Sequence, residues 1–297
     1  MQNYSLEKTV DGIEISRNLI FDEINVQPGL CRADKNIPYQ SRDIQFYDRN
    51  ILNQLIVDGK ISDGSKSPFD DRKMRYDKAD LDSDRQKTKK LIIYLGHSHF
   101  LDYREKGKRT EEETRQLTKL GIQHFQDPYA FFGRNPGVTS IIKSSDKKII
   151  VGQRNVKTDM QLYAGLLQGA AGHILFKEDP MKISIESEAY REISEETGIQ
   201  KKDISRLEFL GLFSFPEVAG DDLDFCYLAH THIDSQYFTS SNWKKNVQKP
   251  EHKEFFAIKN FHELQELVNT GVYNNAQYDL VFSTRGPLAE IKPQDFE

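Results

Sequence analysis

Three glutamates within five positions are the residues best suited to do chemistry: Glu192, Glu195 and Glu196. In a helix each residue turns by about 100°, so the three carboxylates would fall on one face within about one turn. Like charges this close destabilise a helix unless a cation lies among them. Hard divalent cations prefer carboxylate oxygens, and Mg²⁺ is typically held by a few carboxylates together with water and substrate phosphates. The cluster therefore predicts a Mg²⁺ site, with Mn²⁺ as the second option.

The neighbouring residues predict the helix that such a cluster needs. Ile185, Ala189 and Ile193 recur every four positions and form an apolar stripe opposite the acidic one. Ser184 is suited to cap the start of this helix, and Gly198 is suited to the left-handed conformation that ends it. The segment is thus predicted to be an amphipathic helix with one face on a core and a functional acidic face.

The same residues resemble the signature of a known protein family. The run R-E-I-S-E-E-T-G-I at positions 191–199 resembles the second half of the Nudix box, the signature of a family of hydrolases. The first half of the box is matched by Gly172 and, after five intervening residues, by Glu178. Twelve residues then separate Glu178 from Arg191, more than in the family pattern, and an insertion at 179–183 would explain the difference. The alternative is a merely acidic surface helix, but such helices usually carry lysines four residues from their glutamates.

The resemblance implies both a fold and a reaction. The implied fold is the Nudix α/β/α sandwich, an α/β architecture with a mixed sheet between helices. The implied reaction is hydrolysis of a pyrophosphate bond, in which a metal ion neutralises the phosphate oxygens and activates water. In this family role Glu192, Glu195 and Glu196 would be the metal ligands and, with Glu178, the catalytic set. Arg191 would orient one of these carboxylates by a bidentate pair.

Three upstream segments carry a second resemblance. They read P-F-D-D-R-K-M-R-Y from position 68, Y-L-G-H-S-H-F-L-D-Y from position 94 and Q-D-P-Y-A-F-F-G-R-N-P-G-V from position 126. They look like the N-terminal part of the animal Nudix hydrolases that cleave UDP-glucose and related UDP-sugars, in which the box is also stretched. This resemblance implies a small-molecule nucleoside diphosphate sugar as substrate, with UDP-glucose giving UMP and glucose 1-phosphate.

Four residues are candidate contacts for the phosphates or the uracil of such a substrate: Arg75, Tyr76, Arg134 and Arg154. The three arginines could equally be surface cations. The general base is also open, because several carboxylates outside the three predicted ligands could reach a metal-bound water. They are Glu178 and Glu188 near or in the box, and Glu217, Asp221, Asp222, Asp224, Glu251 and Glu254 beyond it.

Two alternative functions stay open on the sequence. The box does not distinguish bases, so an ADP-ribose or dinucleoside polyphosphate hydrolase is one alternative. The other is a nucleotide-binding Nudix protein without turnover. Crowded carboxylates speak against the second, because a protein that only binds an anion gains nothing from them.

Composition excludes several other classes. The 297-residue chain has a net charge of −5, with no basic excess that would track nucleic-acid phosphates. Its two cysteines, Cys31 and Cys226, are too few and too far apart for a disulfide framework or a cysteine-based zinc site. No segment has the apolar length expected of a signal peptide or a membrane span. These features predict a cytoplasmic protein that binds neither nucleic acid nor membrane.

The chain is predicted to have two parts. Residues 1–130 would form an N-terminal α+β region that contributes to substrate recognition, and residues 131–297 would form the Nudix hydrolase domain. Alternation and compact apolar runs predict strands at 12–21, 91–95, 138–143, 148–153, 207–213, 223–231 and 254–258. Helices are predicted at 51–57, from the capping box of Thr110 and Glu113 to Gly121, and from Asn260 to Gly271. Residues 60–90 are predicted to be mostly loop.

Overall fold

The computed structural model describes residues 9–10, 13–14, 23–29, 57–58, 72–83, 89–100, 109–155, 163–214 and 223–297. The predicted helix at 51–57 lies almost wholly outside these ranges. Of the predicted strand at 12–21 only Ile13–Glu14 is described, and it is a strand (β2) paired with Thr9–Val10 (β1).

Within the described residues, the centre of the fold is a seven-stranded sheet. Its main strands, in spatial order, are β10 (Ile204–Ser214), β11 (Leu223–Thr231), β6 (Pro136–Lys143), β7 (Ile149–Arg154) and β12 (His252–Ile258). Two short strands complete it: β9 (Ala170–His173) pairs with β6, and β8 (Leu167–Gln168) pairs with β7. β6 and β11 are parallel, whereas the other pairs are antiparallel. The sheet is therefore mixed, as predicted.

Helices cover both faces of this sheet. Ile142 of β6 packs in one core with Ile193 of helix α2 (Ile185–Thr197). Its neighbour Ile141 points the other way and packs with Leu264 of α4 (Phe261–Thr270) and Leu288 of α5 (Phe282–Glu290). Successive strand residues point to opposite faces, so this apolar run fills two cores at once. The α/β/α arrangement with a mixed sheet is confirmed.

The remaining elements are short. They are helix α3 (Ser235–Thr239), strands β13 (Val272–Tyr273) and β14 (Ala276–Gln277), and 3₁₀ turns at Pro180–Lys182, Lys201–Asp203, Asn242–Asn246 and Pro293–Phe296. None of the helices in the described part of the chain combines the length and the apolar character needed to cross a lipid bilayer.

A second sheet, with three strands, packs beside α2. Its order is β3 (Glu23–Pro28), β5 (Lys89–His99) and β4 (Arg72–Ser83), with β3 parallel and β4 antiparallel to β5. Met74 and Leu91 from this sheet share a buried cluster with Ala189 of α2 and Phe225 of β11. The N-terminal sheet and the central sheet thus have a common core.

The prediction of mostly loop for residues 60–90 is wrong at 72–83 and 89–90, which are strand. Residues 72–83 form the long strand β4, and Met74, Tyr76 and Ala79 are buried in it. The expected alternation is interrupted by a register shift between Tyr76 and Lys78, and charged residues fill the other positions. A bulge changes which face successive side chains occupy, so the period of two is lost in the sequence.

Helix α1 (Glu111–Phe125) begins as predicted and ends later than predicted. The capping box of Thr110 and Glu113 is present, but the left-handed residue that ends the helix is Gln126. Gly121 lies inside the helix, where a Cβ would overlap the carbonyl oxygen of Asp127. The glycine is needed for the close approach of the returning chain, a tertiary requirement rather than a helix end.

The other predicted elements are found close to their expected bounds. The strand at 223–231 matches β11, and those at 91–95, 138–143, 148–153, 207–213 and 254–258 lie within or overlap β5, β6, β7, β10 and β12. Helix α4 is capped by Asn260 and ends at Gly271, as predicted.

The turn between β6 and β7 is fixed by a partly exposed charge network around Asp146. Its carboxylate accepts hydrogen bonds from Ser144 Oγ (2.6 Å) and from Ser235 N (3.0 Å) and Oγ (2.7 Å). Lys148 Nζ lies 2.7 Å from the same carboxylate. Although burial raises the pKa of Asp146, the Lys148 ammonium and the serine donors hold it well below its usual range. The network ties the hairpin to the start of α3.

Replacing Asp146 by asparagine should lower the free energy of unfolding at neutral pH by about 1–3 kcal/mol, because charge-assisted bonds are lost. The pKa of Asp146 is lower in the folded state, so its contribution is complete above the unfolded value of about 4 and declines as the pH falls below it. Urea denaturation from neutral pH to about pH 3 should show the difference between wild type and Asp146→Asn shrinking. Asp80→Asn, which removes an exposed pair with Lys78, is the control and should cost under about 1 kcal/mol. A difference that does not depend on pH would contradict this account.

Candidate functional site

Helix α2 is built as its sequence predicts. Ser184 caps it by accepting a hydrogen bond from Ser187 N (3.2 Å), and Gly198 ends it with φ of 77°. The positions of the predicted insertion, 179–183, form a small turn just before the helix. The Asp179 carboxylate accepts from Met181 N (3.1 Å), and the turn leaves Ile183 buried beside the helix. The insertion is thus absorbed without displacing the start of α2.

The acidic face of α2 is buried rather than solvated. Glu188, Glu192 and Glu196 are 8%, 7% and 3% exposed, whereas Glu195 lies on the surface. Backbone N–H groups of β9 and the following loop meet these carboxylates. Leu175 N donates to Glu188 Oε2 (3.2 Å), and Ala171 N donates to Glu196 Oε2 (3.1 Å). A merely solvated acidic helix is therefore excluded.

Arg191 bridges the carboxylates on this face. Its guanidinium contacts Glu188 Oε2 (2.9 Å), Glu192 Oε1 (2.6 Å) and Glu195 Oε2 (2.8 Å). It also donates to the carbonyl oxygen of His173 on β9 (3.1 Å). The arginine thus holds the acidic residues against the strand, which is the geometry that an orienting role requires.

Glu192 is the carboxylate most perturbed by its surroundings. Burial, and then the charge of Glu196, raise the pKa of Glu192 to about 8, and the nearby Arg191 offsets only part of this. Gly172 lies directly against the group, and a Cβ there would overlap the Glu192 carboxylate. A carboxylate held this close to backbone and to a second carboxylate favours binding of a cation.

A cleft of about 340 Å³ opens beside this face. Four carboxylates line it: Glu192 and Glu195 from α2, Asp224 at the start of β11 and Glu251 just before β12. Cationic and aromatic side chains also line it, namely Lys73, Phe100 and His173. An extended ligand in this cleft would therefore contact both carboxylates and cationic or aromatic side chains.

Arg154 is the only one of the four predicted substrate contacts that the described structure places on this cleft. It is the last residue of β7 and is 6% exposed. Its Nη1 donates to Gln168 Oε1 (2.8 Å), and its Nη2 pairs with Glu251 Oε2 (2.8 Å). Glu196 Oε1 lies 3.8 Å from Nη1, so Arg154 links the acidic helix to the cleft wall.

The structure does not bring Arg75, Tyr76 or Arg134 into the cleft. Arg75 is fully buried and donates to the carbonyl oxygens of Phe132 (3.1 Å) and Tyr129 (2.7 Å). Arg134 stacks on the Tyr76 ring at 4.7 Å and donates to the carbonyl oxygen of Asp77 (2.8 Å). These side chains join β4 to the aromatic segment before β6, because buried guanidinium groups need carbonyl and ring partners. The contacts that the structure gives them are packing contacts, and a contact with substrate stays a prediction.

Glu178 is likewise placed away from the cleft. Its side chain is 73% exposed and pairs with Arg72 Nη1 (2.5 Å) on β4. Of the other candidate bases, Glu254 is exposed beside Lys253, whereas Asp224 and Glu251 line the cleft. Glu217, Asp221 and Asp222 lie outside the described residues.

The predicted metal ligands carry the right atoms, but they are not preassembled. Among the described residues, no three histidine, cysteine, aspartate or glutamate side chains converge on a point that could hold a metal ion. In this arrangement the carboxylates of Glu188, Glu192 and Glu195 each contact the Arg191 guanidinium. The donor set consists of carboxylate oxygens only, and it lies beside the glycine backbone at Gly172. Both features fit a hard cation such as Mg²⁺.

Several residues of the site were not predicted from the sequence. Lys73, Phe100 and Gln168 line the cleft, and His252 lies behind it, bonded to Glu196. Lys73 and Phe100 come from the segments that resemble UDP-sugar hydrolases, so that resemblance was a usable signal. His252 directly follows Glu251, but nothing in its local pattern predicts a buried contact with α2.

Comparison with known proteins gives structural similarities only. Neither a protein-family model nor a curated protein matches the chain. Among solved structures, the NUDIX domain of Shewanella oneidensis NrtR, in complex with ADP ribose, is 16% identical, with a TM-score of 0.36 over 61% of this chain and 96% of that one. A MutT NUDIX hydrolase from Burkholderia pseudomallei is 18% identical, with a TM-score of 0.35 over 53% and 98% of the two chains. A NUDIX hydrolase from Nitrosomonas europaea is 18% identical, with a TM-score of 0.29 over 42% and 71%.

All three carry the Nudix name. At these identities and TM-scores the similarity has no bearing on what this chain binds or cleaves. A functional assignment has to come from the acidic helix and its cleft.

Replacing Arg191 by methionine should lower the free energy of unfolding in EDTA by about 1–3 kcal/mol, between the values for exposed and buried ion pairs, because three carboxylates lose their common partner. Added Mg²⁺ should recover more stability in Arg191→Met than in wild type, since the cation can then replace the missing charge. Thermal unfolding with EDTA and with MgCl₂ measures both effects.

The matched control is Arg115→Met on α1, which removes an exposed pair with Glu112 and should change stability by less than about 1 kcal/mol. Equal Mg²⁺ responses in all three proteins would show that the acidic face does not bind the cation.

Proposed function

We propose that this chain is a Nudix-type hydrolase that uses Mg²⁺ to cleave the pyrophosphate bond of a nucleoside diphosphate sugar, with UDP-glucose giving UMP and glucose 1-phosphate. The observation that carries the proposal is a single cleft lined by Glu192 and Glu195 of α2, by two further carboxylates, and by cationic and aromatic side chains. The sequence of that helix supports it independently, since positions 191–199 match the second half of the Nudix box.

Electrostatics explain why such a cleft would need a metal ion. A diphosphate is anionic, and in the cleft it would approach Glu192, Glu195, Asp224 and Glu251. Repulsion between carboxylates and phosphate oxygens opposes binding unless divalent cations lie between them. Bound Mg²⁺ would neutralise the phosphate oxygens and activate water. Glu192, Glu195 and Glu196 are the residues that would hold it.

The chain's own groups then divide the remaining work. Arg191 holds Glu188, Glu192 and Glu195 in one place, and the N–H of Ala171 holds Glu196. Hydrolysis forms a bond from the water oxygen to one phosphorus and breaks the bond from that phosphorus to the bridging oxygen. The water proton passes to a carboxylate of the cleft, for which Glu195, Asp224 and Glu251 are available.

The cationic and aromatic side chains of the cleft suit the nucleoside end of the substrate. Lys73 Nζ lies 5.3 Å from the Phe100 ring centroid, and that ring meets the His173 ring edge-on at 6.1 Å. Aromatic rings stack on bases, and a lysine beside them adds attraction for phosphate. Each of the three upstream segments that resemble UDP-sugar hydrolases contributes to the cleft, through Lys73, Phe100 and, from the third segment, Asn135 and Gly137. The resemblance in sequence and the position in the structure thus support the same substrate class.

The substrate panel that tests this proposal contains UDP-glucose, UDP-galactose, ADP-ribose and a diadenosine polyphosphate, each with Mg²⁺ or EDTA. UDP-sugars should be cleaved to UMP and a sugar 1-phosphate only with the metal, as measured by chromatography and phosphate release. Cleavage of the adenine compounds alone would assign the alternative substrate class. Tight nucleotide binding without any product would assign a binding protein.

Glu195→Gln should lower kcat by at least about 10²-fold, because a metal ligand worth several kcal/mol in the transition state is lost. Glu186→Gln is the matched control: Glu186 is exposed in the first turn of the same helix and does not line the cleft. Steady-state kinetics on UDP-glucose should leave that control near wild type. Full activity in Glu195→Gln would overturn the assigned metal role.

Phe100→Ala should raise KM for the UDP-sugar by about 10-fold with kcat little changed, since a base stack worth about 1–3 kcal/mol is lost from ground state and transition state alike. Phe125→Leu, a substitution in the buried aromatic segment away from the cleft, is the control for general loss of packing. An unchanged KM would remove Phe100 from the nucleoside site.

A further inference from the structure

The structure assigns His252 as the residue that positions Glu196, an inference that rests on the proposed function. His252 Nε2 lies 2.8 Å from Glu196 Oε2, and its side chain is fully buried. The same oxygen accepts from Ala171 N at 3.1 Å. Two donors therefore fix Oε2, and the other oxygen, Oε1, is left facing Arg154 at the cleft wall.

A bulge in β12 turns His252 towards α2. The strand pairs His252 with Arg154 and Glu254 with Gln153, so Lys253 is an extra residue in the ladder. In a regular strand, His252 and Phe255 are three positions apart and would point to opposite faces. Because the bulge places the extra residue Lys253 between them, both rings lie on the face of α2, with centroids 4.8 Å apart. Bulges are a common device for aiming a side chain at a functional site.

The opposing strand makes room for the ring. Gly152 lies under the imidazole, and a Cβ at this position would overlap Nδ1. Within the described residues Nδ1 has no hydrogen-bond partner. A hydrogen on Nδ1 would therefore be buried without an acceptor, whereas a hydrogen on Nε2 has Glu196 as its acceptor. In the tautomer with its hydrogen on Nε2, the ring donates to Glu196.

Loss of His252 is expected to affect metal binding more than substrate binding. His252 does not line the cleft, so it does not touch a bound nucleotide. Its loss would leave Glu196 Oε2 with one N–H donor and free the carboxylate to turn towards Arg154. Groups that orient a metal ligand typically contribute about 10–100-fold to metal affinity or activity. His252 is therefore a positioning residue for the predicted metal ligand.

The first test compares His252→Leu with His252→Gln. Leucine removes the donor, whereas the glutamine amide N–H reaches about as far as the ring Nε2 and restores it. Titration with Mn²⁺ alone, followed by electron paramagnetic resonance, should show affinity reduced about 10–100-fold in His252→Leu and largely restored in His252→Gln. In kinetics on UDP-glucose with Mg²⁺, kcat should fall in His252→Leu while KM stays near wild type.

The second test uses coupling to Glu196. If His252 acts only through that carboxylate, adding His252→Leu to a Glu196→Gln variant should cause no further loss of Mn²⁺ affinity. Gly152→Ala should imitate His252→Leu, because the new methyl group displaces the ring, and it provides the test if His252→Leu does not fold. Val151→Ala removes packing from the other face of β7 and should reduce stability without changing Mn²⁺ affinity.

The outcomes separate the two proposals. A wild type that neither binds Mn²⁺ nor hydrolyses any compound of the panel refutes the proposed function. An active wild type together with a His252→Leu variant of unchanged Mn²⁺ affinity refutes the positioning role alone. Additive losses in the double variant also refute it, because they would mean that His252 acts independently of Glu196.

Discussion

The structure depends above all on the burial of negative charge between a helix and the backbone of a short strand. Taking carboxylates out of water costs several kcal/mol each unless donors replace the water. Here Arg191 and the N–H groups of Ala171 and Leu175 supply those donors. The donors are in place only while β9 lies along β6, where Gly172 pairs with Val138. The sheet and the acidic site are thus a single arrangement, and neither would keep its geometry without the other.

The N-terminal sheet contributes further side chains to the cleft. It shares a core with α2, and it carries Lys73 and Phe100 to the edge of the cleft. Arg75 and Arg134 join β4 to the aromatic segment before β6 by hydrogen bonds. The position of β4, and of Lys73 on it, is therefore set by buried polar contacts as well as by apolar packing. In the proposed enzyme, the central sheet and α2 would carry the residues that bind the metal and take part in hydrolysis. The N-terminal sheet would carry residues that contact the nucleoside.

Local signals in the sequence were enough to predict α2, its caps, the mixed sheet and the acidic cluster. Periodicity and capping depend on residues within one turn or one strand, which a sequence displays directly. Predictions were wrong where a distant contact decides the outcome. Gly121 was predicted to end α1 but lies inside it, beside the carbonyl oxygen of Asp127. Arg75, a candidate for a substrate contact or a surface cation, is fully buried. His252 was missed because a one-residue bulge, invisible in the alternation, selects the face on which it lies.

The parallel pairing of β6 with β11 has a consequence for how the site comes into being. β6 ends at Lys143 and β11 begins at Leu223, so these neighbours in the sheet are joined only after a long stretch of chain has been organised. Closing so large a loop costs entropy before any contact repays it, and such pairings form late in folding. β12, which follows β11 in the chain, brings His252. A partly synthesised or partly folded chain would therefore contain the acidic helix before the cleft has formed and before His252 is in place beside Glu196.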